Sequence, residues 1–367
     1  MMDDPPNTKR PSRPTRGRGA VTNRTNRYER YIAEAVDDGW DAGGEDDTLP
    51  PVRTTLMRDS SKSILARNDS PDVPFDRSIN PYRGCEHGCV YCFARPTHAW
   101  LGLSPGLDFE SRILFKPDAA RLLEKELRRP SYKCGVIAMG TNTDPYQPTE
   151  KSLRLTRSIL EVLSAFNHPV GIVTKSALVL RDLDILSSMA ERGLVQVCVS
   201  VTTLDRRLAN RLEPRAATPR RRLETIGALA EAGIPTGLMV APVIPVLTDP
   251  EMEAIMAAGR QAGARTASWI LLRLPLEIRD LFVEWLEAHA PDRAKHVMSL
   301  VHDTRGGKAY DSTFGQRMRG TGEYAALLKK RFEVAGRRLG FDTGERFRLD
   351  TAKFRPPLAR DNQLALF

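Results

Sequence analysis

Three cysteines stand close together in NPYRGCEHGCVYCFARP, at positions 85, 89 and 92, with the spacing CxxxCxxC. Thiolates are soft ligands, and three of them on one tight loop suit an iron–sulfur cluster. Three protein ligands leave one iron of a four-iron cluster without a side chain. An open coordination position is what a metal centre needs to take a reactant. Gly84 and Gly88 lie in the same loop and let backbone N–H groups approach the sulfurs. The competing reading of the same residues is a zinc site completed by His87 or His98. Cys134 and Cys198 lie far off in sequence and read as ordinary buried thiols, with Cys198 also a candidate hydrogen donor.

Such a loop needs a scaffold, and the chain is long enough to build one. It has 367 residues, 41% of them hydrophobic and 28% charged, the balance of an ordinary folded protein. An odd count of five cysteines, three of them clustered, is no disulfide framework. It predicts a reduced, cytoplasmic setting. No apolar run approaches the roughly 20 residues of a membrane span, so no membrane partner is expected. The net charge of +9 and pI near 9.4 favour anionic partners, nucleic acid first. Residues 1–50 read as a disordered tail, Arg- and Pro-rich at first and then acidic.

From about 75 to 290 strand-like and helix-like segments alternate. Apolar residues recur at helical spacing over 118–128, 150–165, 178–192, 219–232, 250–262 and 276–289. Between them lie GVIAM (135–139), PVGIVT (169–174), VQVCVSV (195–201), TGLMVAPV (236–243) and SWILL (268–272), which read as buried parallel strands. SINPYRG (78–84) supplies one more. The expected fold is α/β, a partial (β/α)6 TIM-type barrel spanning 51–290, with a doubly wound sheet as runner-up. Residues 291–345 read as a Gly/Arg-rich loop followed by a helix near 322–338, a helical extension of the barrel. Residues 346–367 read as a flexible tail.

In either fold chemistry collects at the carboxyl ends of the strands. GTNTDPYQPTE (140–150) follows one strand and places Thr143 and Asp144 there; a capped turn is the plainer reading. Lys175 ends the next strand. In VQVCVSVTT, Val195, Val197, Val199 and Val201 share one face, while Gln196, Cys198, Ser200 and Thr202 point the other way, into the barrel. Polar groups there are costly unless they bind something, which singles out Ser200. Arg215, in LEPR, is either an anion clamp or the ion-pair partner of Glu213 or another acid. Ala241-Pro242 and Pro245 form an apolar wall.

CxxxCxxC with an aromatic residue, Tyr91, before the last cysteine resembles the motif of the radical SAM superfamily. The resemblance implies a 4Fe–4S cluster on Cys85, Cys89 and Cys92. S-adenosylmethionine would sit on the open iron and be cleaved by one electron to methionine and a 5′-deoxyadenosyl radical. NPYRGCxHGCxYCxARP, GTNTDPYQPTEK, TKS, SVTTLD and LEPRAATPxxR are similar to the branch that holds spore photoproduct lyase and the DNA repair photolyase-like proteins. CFARPTHAWLGLSPGLDFESRI and YDSTFGQRMRGTG are typical of one uncharacterised subgroup there and carry the likeness to about residue 340. It implies cofactor-orienting roles for Tyr91, Thr143, Asp144, Lys175, Ser200 and Arg215, and an adenine-flanking role for the Pro242 wall. Relatives often carry Gly after the second proline, where this chain has Val246.

The branch further implies damaged or modified DNA as substrate and an electron donor such as flavodoxin or ferredoxin. The lyase returns hydrogen from a cysteine just after its second strand, but GTNTDPY has none. That specific reaction is therefore not expected, and Tyr146 and Tyr310 join Cys198 as radical-return candidates. Arg95, His98, Arg317 and Arg319 are candidates for substrate or phosphate contact. Two other readings remain: radical chemistry on RNA, protein or a small molecule, and a non-catalytic iron–sulfur electron-transfer or redox-sensing protein. Gln363, Leu364, Leu366 and Phe367 form the ending QLALF. It resembles the QLxLF peptide that binds the bacterial sliding clamp; a strap packing onto the protein's own core is the alternative.

Overall fold

The computed structural model describes residues 14–29, 52–341 and 349–358. Ten strands occur among them: β1 (Thr55–Arg58), β2 (Leu65–Arg67), β3 (Arg77–Ile79), β4 (Tyr82–Arg83), β5 (Arg112–Phe115), β6 (Ile137–Met139), β7 (Val170–Thr174), β8 (Val195–Ser200), β9 (Thr236–Val243) and β10 (Thr266–Leu271). Seven build one sheet in the order β10-β9-β8-β7-β6-β3-β2. Its six strands from β3 to β10 run parallel in sequence order, and β2 pairs antiparallel on the edge. This is the expected six-unit α/β array, with two open edges instead of a closed ring. β1, β5 and β4 form a separate small sheet beside the cysteine loop.

β8 shows why the array forms. Val195, Val197 and Val199 are fully buried on the helix side, each contributing at most about 1.5–3 kcal/mol. They stand in register with Val170, Ile172 and Thr174 of β7. On the inner face a Cβ at Gly237 would meet Cys198 Sγ at 2.9 Å, so the glycine makes the room that the thiol occupies.

Helices follow the strands as the apolar spacing predicts: Ala119–Leu127, Leu155–Ala165, Leu183–Glu191, Pro219–Glu231, Met252–Gln261 and Ile278–His289. The helix expected over 150–165 is broken at Arg154, whose φ of +52 ends one short turn and starts the longer helix. Residues 291–303, expected as part of a loop, form a helix that opens on Pro291 and buries Val297 and Val301. Proline at the first helical position and an apolar pair four apart supply its start and its buried face. The helix Gly322–Leu339 sends Leu328, Phe332 and Ala335 into the main core, so it belongs to the body of the domain. Phe354 packs edge-on to His168 at 5.3 Å, tying part of the expected flexible tail to the core. Residues 363–367, with the clamp-like ending, lie outside the described residues.

The N-terminal expectation is corrected in part. Residues 14–29 are packed, with Arg18, Ala20, Val21 and Asn26 buried. Val21 joins the apolar cluster of Cys89, Val90 and Tyr91. The polar, Arg-rich composition hid this because the strap is held by backbone groups and by polar side chains, Arg18, Arg24 and Arg27 among them, whose partners are distant in sequence. No helix among the described residues is long and apolar enough to cross a membrane.

Candidate functional site

The cysteine loop leaves β4 and is fixed largely through its own backbone. Gly84 and Gly88 have φ of +83 and +68. A Cβ on Gly88 would lie 2.7 Å from Glu110 Oε2, so both backbone angle and space ask for glycine there. Arg95 is fully buried, and every one of its nitrogens donates. Nε reaches the Cys89 carbonyl at 2.9 Å, Nη1 the carbonyls of Pro105 and Gly106 at 3.0 and 2.9 Å, and Nη2 the Gly88 carbonyl at 3.2 Å and Glu110 Oε1 at 2.5 Å. Glu110 also accepts from the Gly19 and Ala20 N–H groups at 2.9 and 2.8 Å. Arg18 Nη1 donates to the Glu110 carbonyl at 2.6 Å. Arg95, a candidate for substrate contact, is thus a bracket for the cluster loop. Buried charge persists in such a place only when paired and hydrogen-bonded.

All three thiols open on one cavity of about 180 Å³ at the carboxyl ends of β6 to β10. Burial is the largest influence on each thiol and pushes all three above the ordinary range, Cys85 and Cys89 well above it. A positive metal centre is what would hold them as thiolates. Among the described residues no three His, Cys, Asp or Glu side chains converge as they would around one ion. A cubane places each thiolate on a different iron, so the spread trio fits a cluster better than a single zinc. His98, one proposed zinc ligand, faces away: its Nε2 lies 3.0 Å from the Arg112 carbonyl, and burial pulls its pKa down to about 4. His87 lines the cavity with Nδ1 3.3 Å from Asp144 Oδ2.

Tyr91, Thr143, Asp144, Lys175 and Ser200 all line this cavity, as do Ala241 and Pro242. Asp144 is heavily engaged. It accepts from Thr174 Oγ1 at 2.7 Å, Lys175 N at 2.8 Å and Tyr146 N at 2.9 Å, so it ties the loop after β6 to the end of β7. Burial would raise its pKa, but His87 and these donors carry it below the usual carboxylate range. Lys175 Nζ donates to Ser200 Oγ at 2.7 Å and the Ala241 carbonyl at 3.2 Å. Burial pulls the ammonium down to about 8, against the opposing influence of Cys89.

Six candidates fall elsewhere. Arg215, expected as a carboxylate clamp, does not line the cavity; Nη2 pairs with Glu86 at 3.0 Å behind the cysteine loop. Tyr146 is fully buried in the main core. Cys198 sits below Ser200 against Gly237, where burial raises its thiol to about 11. Tyr310 lies off the cavity lining but touches it through Arg273, whose Nη2 donates to the phenol oxygen at 3.3 Å. Arg317 is paired with Asp72 and stacks over Phe314. Arg319 lies over the Trp269 ring at 4.6 Å.

Glu213 was read only as a possible partner of Arg215, yet it anchors the floor of the site. Its fully buried carboxylate accepts from Tyr91 OH, from Thr202 Oγ1 at 2.6 Å and from the Arg222 guanidinium, and lies 3.6 Å from Lys175 Nζ. Burial pushes its pKa up, against the pull of Arg222. Arg222 looks like one more charge in the helical run PRRRLE, and nothing in its neighbours marks it out. Arg273, just after β10, lines the cavity although no motif in the sequence singles it out.

The chain matches the family described as the Radical SAM superfamily over residues 79–258. It is 36% identical over 266 residues to an uncharacterised protein of Mycobacterium tuberculosis, covering 72% of this chain and 76% of that one. An uncharacterised protein of Methanocaldococcus jannaschii is 30% identical over 173 residues, 47% of this chain and 62% of that protein. In fold it is similar to a mutant of spore photoproduct lyase with bound AdoMet and dinucleoside spore photoproduct. The TM-score is 0.56 and the identity 17%, covering 78% of this chain and 80% of that chain. At that identity the likeness speaks for the fold alone. The α/β array and the cysteine loop thus have a shared origin: the chain belongs to the radical SAM superfamily, and its cofactors are a 4Fe–4S cluster and S-adenosylmethionine.

Proposed function

We propose that this radical SAM enzyme acts on damaged or modified nucleic acid, DNA in preference to RNA. The observation that carries the reading is the convergence of Cys85, Cys89, Cys92, Lys175 and Ser200 on one cavity, in a chain whose fold neighbour was solved with a dinucleoside photoproduct. The basic balance of the sequence, +9, supports a polyanionic substrate.

When bound, the cluster and S-adenosylmethionine supply reductive cleavage of a sulfonium and, through it, hydrogen-atom abstraction. The chain's own residues bind and orient. Lys175 holds the carboxylate of the cofactor through its ammonium, kept in place by Ser200 and the Ala241 carbonyl. Thr143 and the loop fixed by Asp144 receive the amino group. Tyr91, donating to Glu213, ties the cysteine loop to the segment that follows the helix Arg206–Leu212. Ala241 and Pro242 supply the apolar wall for adenine. Arg215 is left to brace the loop through Glu86.

The cavity lining holds no cysteine besides the three, so hydrogen return by a thiol just after β6 is not part of this reading. The electron comes from a flavodoxin or ferredoxin. The ending Gln363–Phe367 brings the enzyme to the sliding clamp in the cytoplasm. Anaerobically reconstituted protein given a reductant and S-adenosylmethionine is expected to form 5′-deoxyadenosine. Failure to do so leaves only a non-catalytic cluster protein. Mass spectrometry of DNA and RNA nucleosides from a deletion strain then tests the substrate: a change confined to RNA, or to neither, removes the DNA reading.

A further inference from the structure

The mouth of the cavity holds a cation that the cofactor reading leaves idle. Arg273 follows β10 and lines the same cavity as the three thiols. Its guanidinium lies 4.9 Å from the Phe93 ring centre and 5.9 Å from that of Tyr310. Nη2 donates to Tyr310 OH at 3.3 Å, and Nη1 faces Met318 Sδ at 3.5 Å. Nε is buried with no hydrogen-bond partner. Among the described residues no carboxylate forms an ion pair with Arg273. The acid that senses it, Asp72, is already committed to Arg317 and to the Gly315 N–H at 2.6 Å.

Such an arginine is unusual. A guanidinium has five N–H donors, and here the buried Nε–H meets no acceptor while Nη2 reaches only the Tyr310 phenol. Arg95 and Arg222 in this fold are fully engaged; Arg273 is held by aromatic faces and one phenol. The surroundings are positive as well. Arg305 lies close enough that burial, with Arg273 next in size, pulls its pKa down to about 10. It is fixed by carbonyls, those of Leu272 at 2.8 Å and Gln316 at 3.0 Å. Phe93, directly after the last cluster cysteine, is 44% exposed although it lines the cavity. One of its faces carries Arg273, and exposure of a large ring in a cavity wall leaves area for a flat ligand.

We infer that Arg273 holds a phosphodiester of the substrate strand and that Phe93 supports the adjoining unstacked base. Planar guanidinium recognition of phosphate and base-on-aromatic stacking are the two contacts by which proteins hold a single strand. The pair faces the cluster cavity, so a base resting on Phe93 sits where hydrogen abstraction is available. Tyr310 sets the arginine's orientation and is a positioning residue. The inference rests on the nucleic-acid reading above and names its contact points.

The test uses full-length reconstituted protein with S-adenosylhomocysteine in place of the cofactor, so that nothing turns over. Binding of a short fluorescein-labelled oligothymidylate is followed by anisotropy over a salt series, for wild type, Arg273→Gln, Arg273→Lys and Phe93→Ala. Arg273→Gln is expected to bind about tenfold or more weakly, with a log–log salt slope shallower by about 0.7. Arg273→Lys should fall between it and wild type with the wild-type slope, and Phe93→Ala should lose about fivefold or more with that slope retained. If both arginine variants bind like wild type, the strand lies elsewhere and the inference fails while the nucleic-acid reading stands. If Arg273→Gln instead loses affinity for S-adenosylhomocysteine in equilibrium dialysis, Arg273 is a cofactor ligand and the inference fails. If wild type prefers a polyglutamate peptide to the oligonucleotide, or binds neither DNA nor RNA, the nucleic-acid reading fails and takes the inference with it.

Discussion

Arg95 and Glu110 form an ion pair with both side chains fully buried, and the arginine simultaneously holds the carbonyls of Gly88 and Cys89. The pair is the keystone of the cysteine loop. Glu110→Gln leaves the guanidinium buried opposite a neutral amide, and Arg95→Met leaves the carboxylate without its cation. Either is expected to cost about 3–5 kcal/mol, read from urea unfolding midpoints, and to lower iron content after reconstitution. Unchanged stability in both would mean that the strap donors alone satisfy Glu110.

Lys175 sits 2.7 Å from Ser200 Oγ and 3.6 Å from Glu213. Lys175→Met should weaken S-adenosylmethionine binding by about 10- to 100-fold, the worth of one charge-assisted contact. Iron content should not change, since no cluster ligand is touched. Equilibrium dialysis and metal analysis read the two separately. Equal loss in both would make Lys175 a support of the loop and no cofactor ligand.

A Cβ placed on Gly19 would lie 1.7 Å from the Gly88 carbonyl oxygen, which neither backbone segment can absorb without shifting. Gly19→Val is therefore expected to lift the strap off the cysteine loop. The reconstituted cluster should then bleach several times faster in air, followed by its visible absorbance. Arg16→Ala, at an exposed position of the same strap, controls for an unspecific effect of substitution there.

His168 is buried with Nδ1 3.0 Å from the Pro169 carbonyl and Nε2 2.6 Å from Tyr132 OH. Those partners suit a neutral ring that donates from Nδ1 and accepts at Nε2. Burial pulls its pKa down to about 4. In the unfolded chain the ring gains its proton near pH 6.5, so stability is complete above that pH and falls as the solution is acidified toward about pH 4. The loss is about 1.4 kcal/mol per unit, or roughly 3 kcal/mol over the window. His98, lowered to about 4 by the same cause, adds to it. His168→Gln should flatten part of the decline in urea midpoint below about pH 6.5; a curve parallel to wild type would mean that His168 does not stay neutral.

The parallel strands were readable because each is a short apolar run between helical repeats, and β9 falls on TGLMVAPV at both ends. So was the pocket's first layer, since Cys85, Lys175 and Ser200 stand at strand ends where such folds do chemistry. What stayed hidden depends on partners distant in sequence. Arg95 reads as a candidate for phosphate contact until Glu110 and four carbonyls surround it. Arg273 gives no sign of its missing acid, because the absence of a partner is a property of space. The helix over 291–303 was obscured by the Gly/Arg-rich stretch after it. Val246 stands where relatives carry glycine, and its φ of +69 gives the reason: the turn asks for a left-handed residue, and a β-branched one sits there under strain.

The strap over the cysteine loop imposes an order on maturation. Its donors, Gly19 and Ala20, meet Glu110 across 91 and 90 residues of chain, so they can dock only once that carboxylate has been delivered by the completed loop. Closure must follow the structure it closes over. Until the amino-terminal segment settles, Glu110 lacks two of its donors and the cysteine loop lies uncovered on that side.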